Sequence, residues 1–132
     1  MLLGRRGIVG ETTIRIKRAY ENYDPKDGRR VLVDGLWPRG LTKQMVKVDS
    51  WLRDIAPSDD LRKWFQHDPA KWGEFRERYR QELETKKSML LQIQDWAKKG
   101  DVTIIYAAKD EAHNNAVALK ELLDELMKKR KK

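Results

Sequence analysis

Two stretches of this chain, residues 31–40 and residues 106–115, carry the side chains best suited to binding or turning over a ligand. In the first, Asp34 offers a carboxylate, Trp37 a stacking face and Arg39 a planar bidentate donor, with Pro38 and Gly40 setting the backbone around them. In the second, Lys109 offers a point charge, His113 an imidazole able to act as acid or base, and Asp110 and Asn114 further polar contacts. Together they describe a site for a small anionic or aromatic ligand. Arg39 and Lys109 would hold the anion, Trp37 would stack, Asp34 would orient Arg39 or a ligand hydroxyl, and His113 with Asp34 would be the catalytic pair if there is a reaction. A plainer arrangement uses the same residues: Arg39 pairs with Asp34 or Asp110 to pin the loops, and Trp37 caps the core.

Such a site requires elements that bring the two loops to one place. Residues 31–34 and 102–108 are near-continuous apolar runs rich in β-branched residues, as expected of central strands covered on both faces by helices. Residues 13–19 alternate Ile14 and Ile16 with Arg15 and Lys17, the period of a strand near the sheet edge, and the turn cluster at 24–28 closes it. Helices are expected between the central strands. One lies near Asp49 with Trp51, Leu52 and Ile55 and stops before Pro57. A second is capped by Ser58 and carries Leu61, Trp64 and Phe65. A third follows the Asp68-Pro69 start signal with Trp72, Phe75, Tyr79 and Leu83. After a break at 85–88 the stripe resumes at Leu90, Ile93 and Ala97 and ends at Gly100. A last helix, capped by Asp110, turns Ala116, Leu119, Leu123 and Leu126 inward.

This order predicts an α/β fold: a small, mainly parallel sheet flanked by helices, a Rossmann-like layered single domain. If the strands ending near Asp34 and Ala108 are parallel, their loops emerge at the same edge, where open α/β sheets bind ligands. The helix after the second loop would add free backbone N–H groups that favour an anion. The domain is expected over residues 12–127, with a flexible extension at 1–11 and a basic tail at 128–132.

Composition bounds the alternatives. At 132 residues with 39% hydrophobic and 38% charged side chains, the chain reads as one globular domain. No apolar run approaches the roughly 18 residues of a membrane span, and residues 1–10 lack the apolar core of a signal peptide, so a cytoplasmic address is expected. The absence of cysteine excludes disulfides, thiolate nucleophiles and cysteine-held metal clusters. Five of the cations behind the +8 net charge fall in residues 128–132, which makes nucleic-acid or protein-partner binding through that tail an alternative function. A metal-dependent site is a further alternative, but it would need the two histidines, His67 and His113, brought together with carboxylates such as Asp34 or Asp68. His67 otherwise reads as packing between two Trp-bearing helices. No motif names a cofactor, and no metal ligands are assigned.

Four blocks carry a resemblance: Ile-Lys-Arg-Ala-Tyr at 16–20, Arg-Val-Leu-Val-Asp-Gly-Leu-Trp-Pro-Arg-Gly-Leu at 30–41, Leu-Arg-Lys-Trp-Phe-Gln-His-Asp-Pro at 61–69 and Tyr-Ala-Ala-Lys-Asp-Glu-Ala-His-Asn-Asn-Ala at 106–116. In this order and spacing the chain resembles the YeaO-like proteins of the domain of unknown function 488 family, over residues 13–126. The resemblance implies an α/β domain and the importance of the two loops, and it names no substrate. Relatives usually show arginine where this chain has Gly35, so one cation that the resemblance implies is missing here. More distant branches are similar in carrying a Cys-His-Arg triplet near residues 112–115. Without cysteine, no thiolate chemistry carries over, and the His-Asn-Asn helix start suits hydrogen bonding or acid–base work.

Overall fold

The computed structural model describes residues 14–130, so the extension expected at 1–11 and the last two lysines lie outside the described residues. Four strands, β1 (Ile14–Arg18), β2 (Arg29–Leu32), β3 (Ser50–Trp51) and β4 (Val102–Tyr106), form one sheet in the order β1-β4-β2-β3. Every pairing is parallel, with Ile16 and Val31 both opposite Ile104 on the two sides of β4. The two apolar runs are the central strands, as expected, and the alternating run is an edge.

Period-two alternation divides the sheet into two faces. Ile14, Val31, Val33, Val102, Ile104 and Tyr106 point into a large core shared with α2 (Asp59–Phe65), α3 (Trp72–Leu83), α4 (Lys87–Lys99) and α5 (Asn115–Arg130). Leu83, Ile93, Leu119 and Leu123 are fully buried there, each contributing about 1.5–3 kcal/mol of hydrophobic burial. Ala19, Leu32 and Ile105 point the other way, onto Val46 of the one-turn α1 (Lys43–Val46) and onto Trp37, Leu41, Val48 and Trp51. Helices therefore cover one face of the sheet and a loop segment covers the other. The apolar runs looked the same in either case, because burial on both faces is all that they record.

The helix expected near Asp49 does not form. Its residues make β3 and a 3-10 turn at Arg53–Ile55. Pro57 leaves room for about two turns, too few to be stable alone, and tertiary contacts win. The Trp51 indole donates to the Asp34 carbonyl at 2.7 Å, Trp51 meets Trp37 edge-on at 5.5 Å, and the Asp49 carboxylate accepts the Arg30 N–H at 2.8 Å. Ser58 does cap α2, accepting the Leu61 N–H. Asp68 and Pro69 start a 3-10 turn (Pro69–Lys71) that runs into α3, and α3 breaks from α4 over residues 84–86.

The last helix begins at Asn115, with Asn114 and not Asp110 as its cap: the Asn114 amide oxygen accepts the Val117 N–H at 3.0 Å. At its other end α5 continues to Arg130, so Lys128 and Lys129 belong to its last turn, where cations complement the helix dipole. Among the described residues no helix is long and apolar enough to cross a membrane.

Candidate functional site

Because all strands run the same way, the segments after β1, β2 and β4 emerge at one edge. Asp34 fastens them. Its carboxylate accepts the Ala107 N–H at 2.9 Å and the Asn115 side-chain amide at 3.0 Å, and the same amide reaches the Val33 carbonyl at 3.3 Å. Burial pushes the Asp34 carboxyl above its ordinary value, outweighing these hydrogen bonds and a smaller opposing contribution from His67. Asp34 does not touch Arg39: its two oxygens join the loop after β2 to the end of β4 and the start of α5.

Arg39 is exposed, and among the described residues its guanidinium has neither the Asp34 nor the Asp110 partner that a loop clamp requires. Its backbone is fixed instead, with the carbonyl accepting the Tyr20 hydroxyl at 2.8 Å. The Tyr20 ring lies under the Arg18 guanidinium at 5.0 Å, and Arg18 donates to the carbonyls of Ala108 at 2.8 Å and Ala107 at 3.3 Å. A chain of contacts from Arg39 through Tyr20 and Arg18 thus reaches the residue before Lys109. Lys109 is likewise exposed, with no partner for its ammonium among the described residues. Sequence reasoning missed Arg18, Tyr20 and Asn115. The available signal was position, since Arg18 ends a strand parallel to the two whose loops were chosen.

Trp37 is half-buried, donates its indole N–H to the Leu41 carbonyl at 2.7 Å and packs on Trp51, so its place is in the smaller core. Asn114 is buried, and its amide serves the chain, donating to the Asp110 carbonyl at 2.9 Å and capping α5. The Asp110 carboxylate accepts the N–H groups of Ala112 at 2.9 Å and His113 at 3.1 Å, and meets His113 Nδ1 at 2.9 Å. The hydrogen bond with the His113 side chain is the main cause of the lowered Asp110 value. This carboxylate takes up two backbone donors ahead of α5 and fixes one nitrogen of the imidazole, an arrangement able to steady a proton acceptor or donor. The His113 ring sits edge-on to Trp72 at 5.4 Å.

His67 lies against Phe65 at 5.9 Å, and Phe65 in turn packs on Trp72 at 6.0 Å. His67 and His113 therefore contact different members of an aromatic pair. Asp68 accepts the Ala70 N–H as a cap. Among the described residues no group of three or more histidine or carboxylate side chains is placed to hold a metal ion. A cavity of about 350 Å³ lies elsewhere, between α3 and α5.

A model of the family described as the inactive DUF488-N3 subclade matches residues 13–132. The chain belongs to this family. Among its DUF488 relatives, uncharacterized proteins of Mycobacterium tuberculosis and Mycobacterium bovis are 39% identical over 117 residues, covering 89% of this chain and 98% of theirs. The uncharacterized protein YeaO of Escherichia coli is 39% identical over 113 residues, covering 86% of this chain and 98% of its own. No solved structure matches the chain. At Gly35, where the resemblance implies arginine, a Cβ would meet only the Ala56 Cβ at 3.6 Å, so the backbone of this chain does not require glycine there.

Proposed function

We propose that the protein binds a small anionic ligand at the C-terminal edge of its sheet, with Arg39 and Lys109 as the anion contacts and His113 at the margin of the site. The observation that carries this reading is that these two cations have no partner among the described residues and stand on loops whose backbones are fixed. Pre-fixing the backbone lowers the entropy lost on binding, while the free charges keep their attraction for an anion. Asp34 serves this site from beneath by holding the loops together, and Trp37 supports the loop that carries Arg39. The matched family's description as inactive favours binding without turnover.

Inorganic phosphate and small carboxylates, titrated at constant ionic strength and followed by thermal shift, test the proposal. Phosphate is expected to stabilise the protein, and Arg39→Ala and Lys109→Ala are each expected to remove that stabilisation. Equal stabilisation in both variants, or none in the parent, would sink the idea. Gly35→Arg is expected to strengthen binding by adding a third cation to an open position.

A further inference from the structure

The α3–α5 cavity shares no lining residue with the loops discussed above, and its size is at the lower end of small-molecule sites. Its floor is apolar, made by Tyr79, Leu83, Ala118 and Leu122. Across it Arg76 meets Glu121 at 3.1 Å and Arg80 meets Glu125 at 2.7 Å, so one wall is cationic and the other anionic. All four side chains are about half exposed, and ion pairs of that kind stabilise a fold little and open readily.

Two observations separate this cleft from an ordinary helix seam. Gly73 lines it from the first turn of α3. A Cβ there would meet nothing within 4 Å, so crowding does not require glycine, and glycine adds no side chain to the cleft. Glu77 also lines the cavity and has no partner among the described residues, which leaves the lining charges one negative in excess.

We propose that this cleft binds a zwitterion bearing an additional cationic group, the chemistry of a basic amino acid. The ligand carboxylate takes one guanidinium of the α3 wall, its α-ammonium takes the glutamate so released, and its side-chain cation takes Glu77. One exposed ion pair is exchanged for three. A simple anion leaves a glutamate unpaired, and a neutral zwitterion leaves Glu77 unpaired.

L-Arginine, L-leucine and L-glutamate, titrated into the full chain at matched ionic strength and followed by amide chemical shifts, test this. L-Arginine is expected to shift the Gly73 and Ala118 amides saturably and to bind about threefold more tightly than L-leucine, the worth of one exposed ion pair. Gly73→Leu fills the mouth of the cleft while favouring the helix, and should abolish binding without lowering the melting temperature. Arg39→Ala should leave arginine binding unchanged, so this test is separate from that of the anion site. No saturable shift, binding retained in Gly73→Leu, or L-glutamate binding as tightly as L-arginine each overturns the proposal. If Gly73→Leu melts lower, Glu77→Gln decides: the preference for arginine over leucine must disappear, and its persistence overturns the assignment.

Discussion

The two ends of the sheet use the same kinds of residue in opposite ways. Near the N-terminal edge, on the loop-covered face, Arg30 is fully buried: it pairs with Asp27 and donates twice to the Val46 carbonyl, at 3.0 and 2.7 Å. Lys17 completes the pairing of Asp27 at 3.0 and 3.2 Å, and Thr103 donates to the Asp27 carbonyl at 2.7 Å. At the C-terminal edge Arg39 and Lys109 have no partners among the described residues, while the loops bearing them are pinned through Asp34, Tyr20 and Arg18. The glycines follow the same division. A Cβ on Gly28, at φ 69°, would come within 2.2 Å of the Asp101 carbonyl oxygen, whereas one on Gly40 would meet nothing within 4 Å. One end spends its charges on holding itself together. The other has its backbone held by other groups, and its charges remain available.

Substitutions can break this contrast, and the largest effect belongs to the N-terminal end. Asp27→Ala leaves Arg30 as an uncompensated buried charge and is expected to cost about 3–5 kcal/mol in urea unfolding. A loss below about 1 kcal/mol would show that the network is not structural. Gly28→Ala should follow, at about 2–3 kcal/mol, because alanine is strained at that φ and its Cβ meets backbone.

The two carboxylates should next separate by pH. Burial pushes Asp27 up, but hydrogen bonds from Lys17, the Asp24 N–H and Arg30 outweigh it and hold the carboxyl below 3.8. Its stabilising contribution is therefore present above that value and lost as pH falls through the lower folded one. Asp34 has the opposite sign. Burial holds it above 3.8, so its contribution is complete below 3.8 and declines as pH rises through the raised value. Unfolding measured across acidic pH should show the acid-side loss diminished in Asp27→Ala and the decline above 3.8 diminished in Asp34→Asn. The same pH profile in both variants would erase the distinction.

The smallest stability effect is expected at Arg39 and Lys109, which lack partners among the described residues. Arg39→Ala and Lys109→Ala should change unfolding free energy by no more than about 0.5 kcal/mol, as for surface positions without partners. A larger cost for either would reveal a structural duty and weaken the anion site.

Much of the fold was legible because apolar periodicity reports burial directly. The strand pattern at Ile14 and Ile16, the central runs, the Ser58 cap and the stripe through Phe75, Tyr79 and Leu83 all appear where the residues imply. Trp51, Leu52 and Ile55 misled because their helical spacing competes with long-range gains that spacing cannot express. Within the candidate site, the shared edge of the two loops followed from parallel strands. The partners of individual side chains did not follow: Asp34 with Asn115, Trp37 with the Leu41 carbonyl, and Arg18 with Ala108 are choices made among many polar groups.

Sequence alone thus determined the central strands and the edge at which the loops after β2 and β4 meet, since these depend on which residues must leave water, but not what covers each face of the sheet. Only the tertiary structure decided that Asp27 and Arg30 are consumed in the interior while Arg39 and Lys109 have no partner among the described residues. Charge and type are properties of a residue. Whether a charge is paired depends on which groups the fold brings within about 3 Å of it, and that distance is set by the packing of the whole domain.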